Sequence, residues 1–186
     1  MATNGSNRIR KTNFEKAFSR KTRNKLRDKI QEIKGSKQGL STNFLNSVLK
    51  NIPNFIGVFP QDYLLNFKIT SLPVKLIINL DLSSQPGTHW LALSITDSHL
   101  EIFDSLGLDS KTWSRKPIIL FKFIEKLSQT RKILISPRLQ SSHSNFCGVY
   151  SIFFLALCSR FTFNDICQLF SENFILNDTI LSSFIE

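Results

Sequence analysis

Apolar residues along the chain fall into stretches with helical spacing and into short unbroken runs. Residues 40–52 are apolar at positions 40, 44, 45, 48, 49 and 52, which predicts a helix that Pro53 ends. The same kind of pattern predicts further helices at 117–127, 147–161, 164–173 and 178–185. Short apolar runs predict strands at 74–80, 89–95, 100–103 and 133–135, whereas the proline-rich stretch 53–73 predicts irregular structure with short extended pieces. Strands in the middle of the chain with helices before and after them indicate an α+β fold.

The positive charge of the chain is concentrated at its start. Residues 1–37 hold twelve basic and three acidic residues, a net charge of +9, which leaves +1 of the total of +10 for residues 38–186. We therefore divide the chain into a basic N-terminal arm, 1–37, and a body, 38–186, joined by a linker at 35–39. Apolar residues at helical spacing mean that the arm either forms a basic amphipathic helix or stays disordered until it meets a polyanion.

A basic arm of this kind suits two roles. It could contact DNA phosphates without base-specific readout, and the residues expected to do so are Arg20, Lys21, Arg23, Lys25 and Arg27. The alternative is a solvated tail or a nuclear-import signal.

Composition excludes several classes of protein. An apolar fraction of 41% with 17 phenylalanines is too high for a wholly disordered chain. No run approaches the roughly 18 apolar residues of a membrane span, and no apolar stretch near the start resembles a secretory signal. Three widely spaced cysteines argue against a disulfide framework and fit a reducing compartment. No cysteines or histidines stand at the spacing of a metal site, so none is expected.

Cys147 is the cysteine whose surroundings suit catalysis. It follows a polar loop, 139–146, and precedes Gly148 and a long apolar helix. A thiol at a helix N-terminus lies at the positive end of the helix dipole, which favours the thiolate. Gly148 would let a substrate chain approach closely. Cys158 and Cys167 lie among Phe, Leu and Ile, and are expected to be buried and inert.

A thiolate nucleophile needs an imidazole, and the imidazole needs an acid that orients it. His89 begins one predicted strand and Asp104 follows the next, so a hairpin would place them side by side. The Gln140 amide could join a backbone N–H at the helix start as an oxyanion donor. Singly, these residues also fit as a strand-end histidine, a turn acid and a loop amide. Taken together, their order in the chain favours a catalytic site over these separate structural roles.

The series His89-Trp90, Asp104, Gln140 and Cys147-Gly148 resembles the adenain-like cysteine proteases, whose relatives include the SUMO-specific and other ubiquitin-like proteases. In SUMO proteases the glutamine typically lies six residues before the cysteine, and an aspartate directly precedes that cysteine. Here the interval is seven and Phe146 stands in the aspartate position, as in the adenovirus-type branch. Proteases of virophages and of Polinton/Maverick elements look most similar. The resemblance implies a papain-like fold, with a central mixed β-sheet packed against a helix that starts at the nucleophilic cysteine.

The resemblance also implies a function. Cys147 would attack the scissile carbonyl, His89 would act as general base and then acid, and Asp104 would orient His89. Gln140 and the Cys147 N–H would hold the oxyanion, and Trp90 and Gly148 would line the substrate cleft.

The expected activity is maturation cleavage of viral capsid and other virion precursors at glycine-rich sites, by a monomer in the virion and in the viral factory in the cytoplasm or nucleus. The chemistry would need no cofactor, but DNA bound to the arm could stimulate it. The alternatives are a deconjugating protease for a ubiquitin-like modifier and an inactive nucleic-acid-binding protein on a protease fold.

Overall fold

The computed structural model describes residues 4–34, 36, 38–107 and 117–184. Its helices, in chain order, are α1 (Asn4–Ala17), α2 (Arg20–Ile33), α3 (Thr42–Leu49), α4 (Ile118–Ser128), α5 (Cys147–Leu157), α6 (Phe163–Cys167) and α7 (Phe174–Ser183). Its strands are β1 (Phe55–Pro60), β2 (Val74–Asn79), β3 (Trp90–Ile95), β4 (His99–Phe103) and β5 (Lys132–Ile135), and a 3₁₀ helix covers Gln61–Leu65.

The five strands form one mixed sheet in the order β1-β2-β3-β4-β5. The outer pairs, β1–β2 and β4–β5, are parallel, and the two inner pairs are antiparallel. One hydrophobic cluster, on the α5 side, includes Ile77, Ala92 and Phe103, and a second, on the α4 side, includes Leu76 and Leu93. Because both faces are covered, all six residues of β2 are buried. The predicted α+β fold, with a mixed sheet packed against a helix that starts at Cys147, is confirmed.

Helix α5 is the centre of the larger cluster. All eleven of its residues are buried, which is typical of a helix that is apolar on every side. The ring of Phe154 stacks on that of Phe103 in β4, with centroids 4.7 Å apart. This packing fixes the helix against the sheet, and so fixes where Cys147 lies. In the described part of the chain, no helix is both long and apolar enough to cross a membrane.

The boundaries of several elements differ from the predicted ones. Within the stretch 53–73, residues Phe55–Pro60 form β1, parallel to β2, despite an irregularity between Phe55 and Gly57. At the end of the chain, the side chains of Thr162 and Asn173 cap the first turns of α6 and α7, so α6 begins at Phe163 and α7 at Phe174, and α6 ends at Cys167. Apolar spacing continues across these caps, and so it does not mark them.

The described part of the basic arm is helical and packed on the body. Phe14 of α1 is fully buried, and its ring lies 5.6 Å from that of Phe153 in α5. Leu26 and Ile30 of α2 are buried in the same cluster. The described part of the arm thus consists of two helices whose apolar residues join the core of the body. The division at residue 37 therefore separates charge and not packing. Linker residues 35 and 37 lie outside the described residues.

Candidate active site

Cys147 lies at the first position of α5, and its side chain is buried and not in a disulfide. No side chain caps this helix at Phe146, so the first N–H groups have no capping partner there. Unpaired N–H groups at a helix start are donors for an anion, and they carry the positive end of the helix dipole. An anion bound beside the start of α5 is therefore stabilised at this position.

The β3–β4 hairpin brings His89 and Asp104 together. The two strands pair with Ala92 opposite Phe103, which places the residue before β3 close to the residue after β4. His89 Nε2 and Asp104 Oδ1 are 2.7 Å apart, and both residues are buried. Since Nε2 faces the carboxylate, Nδ1 is the ring nitrogen left for Cys147.

The environment of His89 favours its charged form. Burial alone would lower the pKa of His89, but hydrogen bonds and charge interactions with Asp104 and Cys147 outweigh burial and raise that pKa to about 10. At neutral pH the ring is then an imidazolium that lies between the Asp104 side chain and the Cys147 sulfur. Such a ring is a counter-ion for the nucleophile and holds the proton that a leaving amine needs.

The Ser136 side chain fixes the backbone of Asp104. Its hydroxyl accepts a hydrogen bond from the Asp104 N–H (2.8 Å) and donates one to the Asp104 carbonyl (2.7 Å). The Leu106 N–H also donates to Asp104 Oδ1, at 3.0 Å. Sequence reasoning missed Ser136, because a serine directly after a short strand has no signal that separates it from an ordinary loop residue.

The Gln140 side chain is almost fully buried and held at both ends. Its Oε1 accepts a hydrogen bond from the Ser105 hydroxyl (2.6 Å), and its Nε2 donates to the Ser144 carbonyl (2.5 Å). Its backbone N–H donates to the Ser105 carbonyl at 2.8 Å. The Ser144 carbonyl can only accept, so it sets which end of the amide is NH₂, and the second N–H is left for a ligand in the cleft. Ser105, adjacent to Asp104, was also missed from sequence.

A cleft of about 1050 Å³ joins these residues. Cys147, His89 and Gln140 all line it, and Trp90 forms part of its wall. The Trp90 indole Nε1–H donates to the Leu40 carbonyl at 2.8 Å, which ties the segment before α3 to the wall. Asp104 is fully buried behind His89.

Gly148 does not have the position expected of it. A Cβ atom built there would lie 3.1 Å from Leu40 Cβ, and Gly148 is not among the residues that line the cleft. Its missing side chain allows Leu40 to pack on α5, so the close approach is made by the protein's own chain.

The other two cysteines are poorly suited to act as nucleophiles. Burial raises the pKa of Cys158 to about 11 and that of Cys167 to about 12, so both stay protonated at neutral pH. Among the residues that the structure describes, no group of three or more His, Cys, Asp or Glu side chains is arranged to hold a metal ion.

The five basic residues expected to contact DNA lie on α2 and differ in their surroundings. Lys25 Nζ donates to the Ser47 hydroxyl at 2.8 Å and lies over the Phe44 ring, so it ties α2 to α3. Arg23 lies 3.8 Å from Glu15, and Arg27 donates to the Asn24 side chain. Arg20 and Lys21 are exposed at the start of the helix.

Comparison with known proteins gave similarities to solved structures only. No protein-family model matches the sequence. No curated protein matches it either. A crystal structure of an ASFV protease is 19% identical with a TM-score of 0.49, and the match covers 79% of this chain and 66% of that one. The SUMO protease Ulp1, with its catalytic cysteine oxidised to a sulfonic acid, is 17% identical with a TM-score of 0.41, covering 83% of each chain.

A de-sumoylating protease is 16% identical with a TM-score of 0.34, and the match covers 83% of this chain and 67% of that one. This chain thus spans about two thirds of the ASFV protease.

Proposed function

We propose that this protein is a cysteine endopeptidase that cleaves capsid and other virion precursor proteins at glycine-rich sites. The observation that carries the proposal is the convergence of Cys147, His89 and Gln140 on one cleft, with Asp104 bonded to His89 at 2.7 Å. Acyl transfer to a thiol requires a nucleophile, a base with an acid that orients it, and an oxyanion donor. Cys147, His89 with Asp104, and Gln140 are of these types and lie together at the cleft.

The reaction begins when the Cys147 thiolate attacks the scissile carbonyl carbon and forms a C–S bond. The carbonyl electron pair moves to oxygen, which the Gln140 Nε2–H and the Cys147 N–H stabilise. The His89 imidazolium gives its proton to the leaving nitrogen, and the C–N bond breaks to leave a thioester. Neutral His89 then takes a proton from water, whose oxygen attacks the thioester and releases the acid and the thiolate. Asp104 stays ionised and holds the ring in place.

The assignment of the nucleophile is tested with Cys147→Ala and Cys158→Ala as a matched pair. Cleavage and labelling by a thiol-directed inhibitor should be lost in Cys147→Ala and kept in Cys158→Ala. Equal labelling of the two variants would contradict the assignment.

The substrate class is tested by incubating wild-type protein with capsid precursor, a SUMO conjugate and a ubiquitin conjugate side by side. Cleavage of the precursor with both conjugates left intact supports maturation. The reverse result would favour a deconjugating protease for a ubiquitin-like modifier. Mass spectrometry of the precursor products gives the cleavage motif.

The basic arm supports a second proposal, that DNA contact through α1 and α2 keeps the enzyme near its genome. The supporting observation is a net charge of +9 over residues 1–37. We expect no cofactor in the chemistry itself, stimulation by DNA, a monomeric enzyme and a place in the virion and the viral factory.

Because α1 and α2 contribute to the core, deleting the arm would disturb the fold, and the exposed Arg20 and Lys21 are better targets. Arg20→Gln with Lys21→Gln should weaken DNA affinity and flatten its salt dependence while peptide cleavage without DNA is unchanged. Unchanged DNA affinity would mean that these residues are not the contact. An inactive DNA-binding protein would instead show salt-sensitive DNA affinity, unchanged in Cys147→Ala, and no cleavage of any precursor.

A further inference from the structure

The cleft differs in charge from the rest of the chain. The described residues that line it include one carboxylate, Asp81, and no lysine or arginine, although the protein carries a net charge of +10. His89 also lines the cleft, but its positive charge faces Asp104 and Cys147. Asp81 therefore gives the cleft wall a negative charge that no neighbouring lining residue offsets. A cleft lined by one sign of charge attracts ligands of the other sign.

The sheet places Asp81 beside the candidate catalytic residues. β2 pairs with β3 so that Asn79 is opposite Trp90, and the Leu80 N–H donates to the His89 carbonyl at 3.1 Å. Asp81 follows directly. Because β2 and β4 flank β3, Asp81 lies on the opposite side of His89 from Asp104. Strands are about 4.8 Å apart and an extended chain rises about 3.3 Å per residue, so Asp81 is within about three substrate residues of the scissile bond.

The backbone of Asp81 is held firmly. Its N–H donates to Asn79 Oδ1 at 2.9 Å, and its carbonyl accepts a hydrogen bond from the Gln61 N–H at 3.2 Å. Gln61 Nε2 also donates to the Leu80 carbonyl. A carboxylate on a segment fixed in this way is presented to the cleft without a large loss of conformational freedom on binding.

Two polar atoms at this wall have hydrogen-bonding capacity that the fold does not use. Asp81 Oδ2 and Asn79 Nδ2 are both buried and have no partner among the described residues. Asn79 as a whole is 4% exposed, and it lines the cleft together with Asp81. A buried polar atom without a hydrogen-bond partner costs free energy. A ligand that supplies the partner removes that cost and so binds more favourably. The wall offers one anionic acceptor and one neutral donor.

We propose that Asp81 and Asn79 form a specificity subsite for a substrate with a lysine or arginine side chain within three residues of the scissile bond. The cationic head of that side chain pairs with the Asp81 carboxylate, and a carbonyl of the substrate backbone accepts from Asn79 Nδ2. An acidic side chain at the same substrate position is rejected. The subsite rests on the proposed endopeptidase function, since the cleft is taken as the substrate cleft.

The test uses glycine-rich peptides that are identical except for one residue, Lys, Gln or Glu, placed in turn at each of three positions on both sides of the central bond. Fluorescence anisotropy measures their binding to the Cys147→Ala protein, so that no peptide is consumed. At one position, the Lys peptide should bind about tenfold more tightly than the Glu peptide, as expected of a partly shielded ion pair.

Adding Asp81→Asn should bring that ratio close to one, and Asp81→Lys should reverse it. The matched control is Asp97→Asn, the same change of charge at an exposed residue in the turn between β3 and β4, and it should keep the full ratio. The inference is overturned if no position prefers Lys, if no peptide binds, or if Asp81→Asn keeps the preference.

Hydrolysis of the same peptides by the protein with Cys147 intact separates this inference from the proposed function. A binding preference that depends on Asp81, without hydrolysis of any peptide, would overturn the endopeptidase and leave the subsite standing. Hydrolysis of the peptides without a preference for Lys would support the endopeptidase and overturn the subsite.

Discussion

Replacing Asp104 by asparagine should weaken the dependence of stability on pH that His89 creates. His89 has an ordinary pKa of 6.5 in the unfolded chain and one of about 10 in the folded protein. A group with a raised pKa stabilises the fold fully below the unfolded value, and that stabilisation is lost as the pH rises towards the folded value. In the Cys147→Ala protein, where no thiol can lose a compensating proton and the Asp104 hydrogen bond still raises the pKa of His89, the folded protein therefore holds a proton between pH 6.5 and 8 that the unfolded chain releases.

The magnitude follows from the size of the pH window. In that window, each pH unit costs up to about 1.4 kcal/mol of the free energy of unfolding, so the loss is at most about 2 kcal/mol between pH 6.5 and 8. Asp104→Asn removes the carboxylate charge 2.7 Å from Nε2 and nearly keeps the side-chain shape. Burial disfavours the imidazolium, and without the carboxylate fewer interactions offset this effect. The pKa of His89 therefore falls, and most of the loss of stability between pH 6.5 and 8 disappears.

The assay is denaturant unfolding at pH 6.5 and at pH 8 of the Cys147→Ala protein, without a further change and with Asp104→Asn or the control Asp97→Asn added. The change in the free energy of unfolding between the two pH values should be clearly smaller when Asp104→Asn is added and unchanged when Asp97→Asn is added. If Asp104→Asn leaves that change in stability as it was, the His89–Asp104 pair is not the source of the raised pKa.

Three further predictions concern residues that position the site. Ser105→Ala removes the 2.6 Å bond that orients the Gln140 amide, and it should lower kcat about tenfold or more with little change in KM in steady-state peptide hydrolysis; an unchanged kcat would exclude this role. Gly148→Val forces side-chain atoms against Leu40, whose Cβ is 3.1 Å from the Cβ position of residue 148. It should lower the free energy of unfolding by about 1–3 kcal/mol in denaturant unfolding, whereas equal stability would mean that Leu40 moves freely. In the same assay, Phe14→Ala should lower the free energy of unfolding by about 3–5 kcal/mol, and the control Lys16→Ala, at an exposed residue, by less than about 0.5 kcal/mol. A small effect of Phe14→Ala would contradict the packing of α1 on α5.

The parts of the site that sequence could predict are those created by local structure. The proximity of His89 and Asp104 follows from a hairpin, in which the start of one strand lies next to the end of the following strand. The position of Cys147 follows from the boundary between a polar loop and an apolar helix. Gln140 is only seven residues before Cys147 in the chain. In each case a short stretch of chain sets the geometry, so spacing alone is informative.

The supporting contacts were not predictable in this way. Ser136 and Gln140 reach Asp104 and Ser105 across more than thirty residues, because β5 pairs with β4 only after α4 intervenes. Serines in loops have the same local pattern whether they hold a catalytic segment or face water. The space that Gly148 leaves is likewise explained only by Leu40, which lies more than a hundred residues earlier.

The amino-acid sequence by itself determined the charged and apolar character of each segment, the type of most elements and the order of the candidate catalytic residues. Tertiary structure alone decided that the basic arm packs on α5, that residues 55–60 form a strand, and that Asp81 lies on the cleft wall. The physical reason is that charge and periodicity are properties of neighbouring residues, whereas burial and pairing depend on partners distant in the chain. For the arm, a net charge of +9 over residues 1–37 and a fully buried Phe14 occur in one segment of the chain, and only the folded protein shows both together.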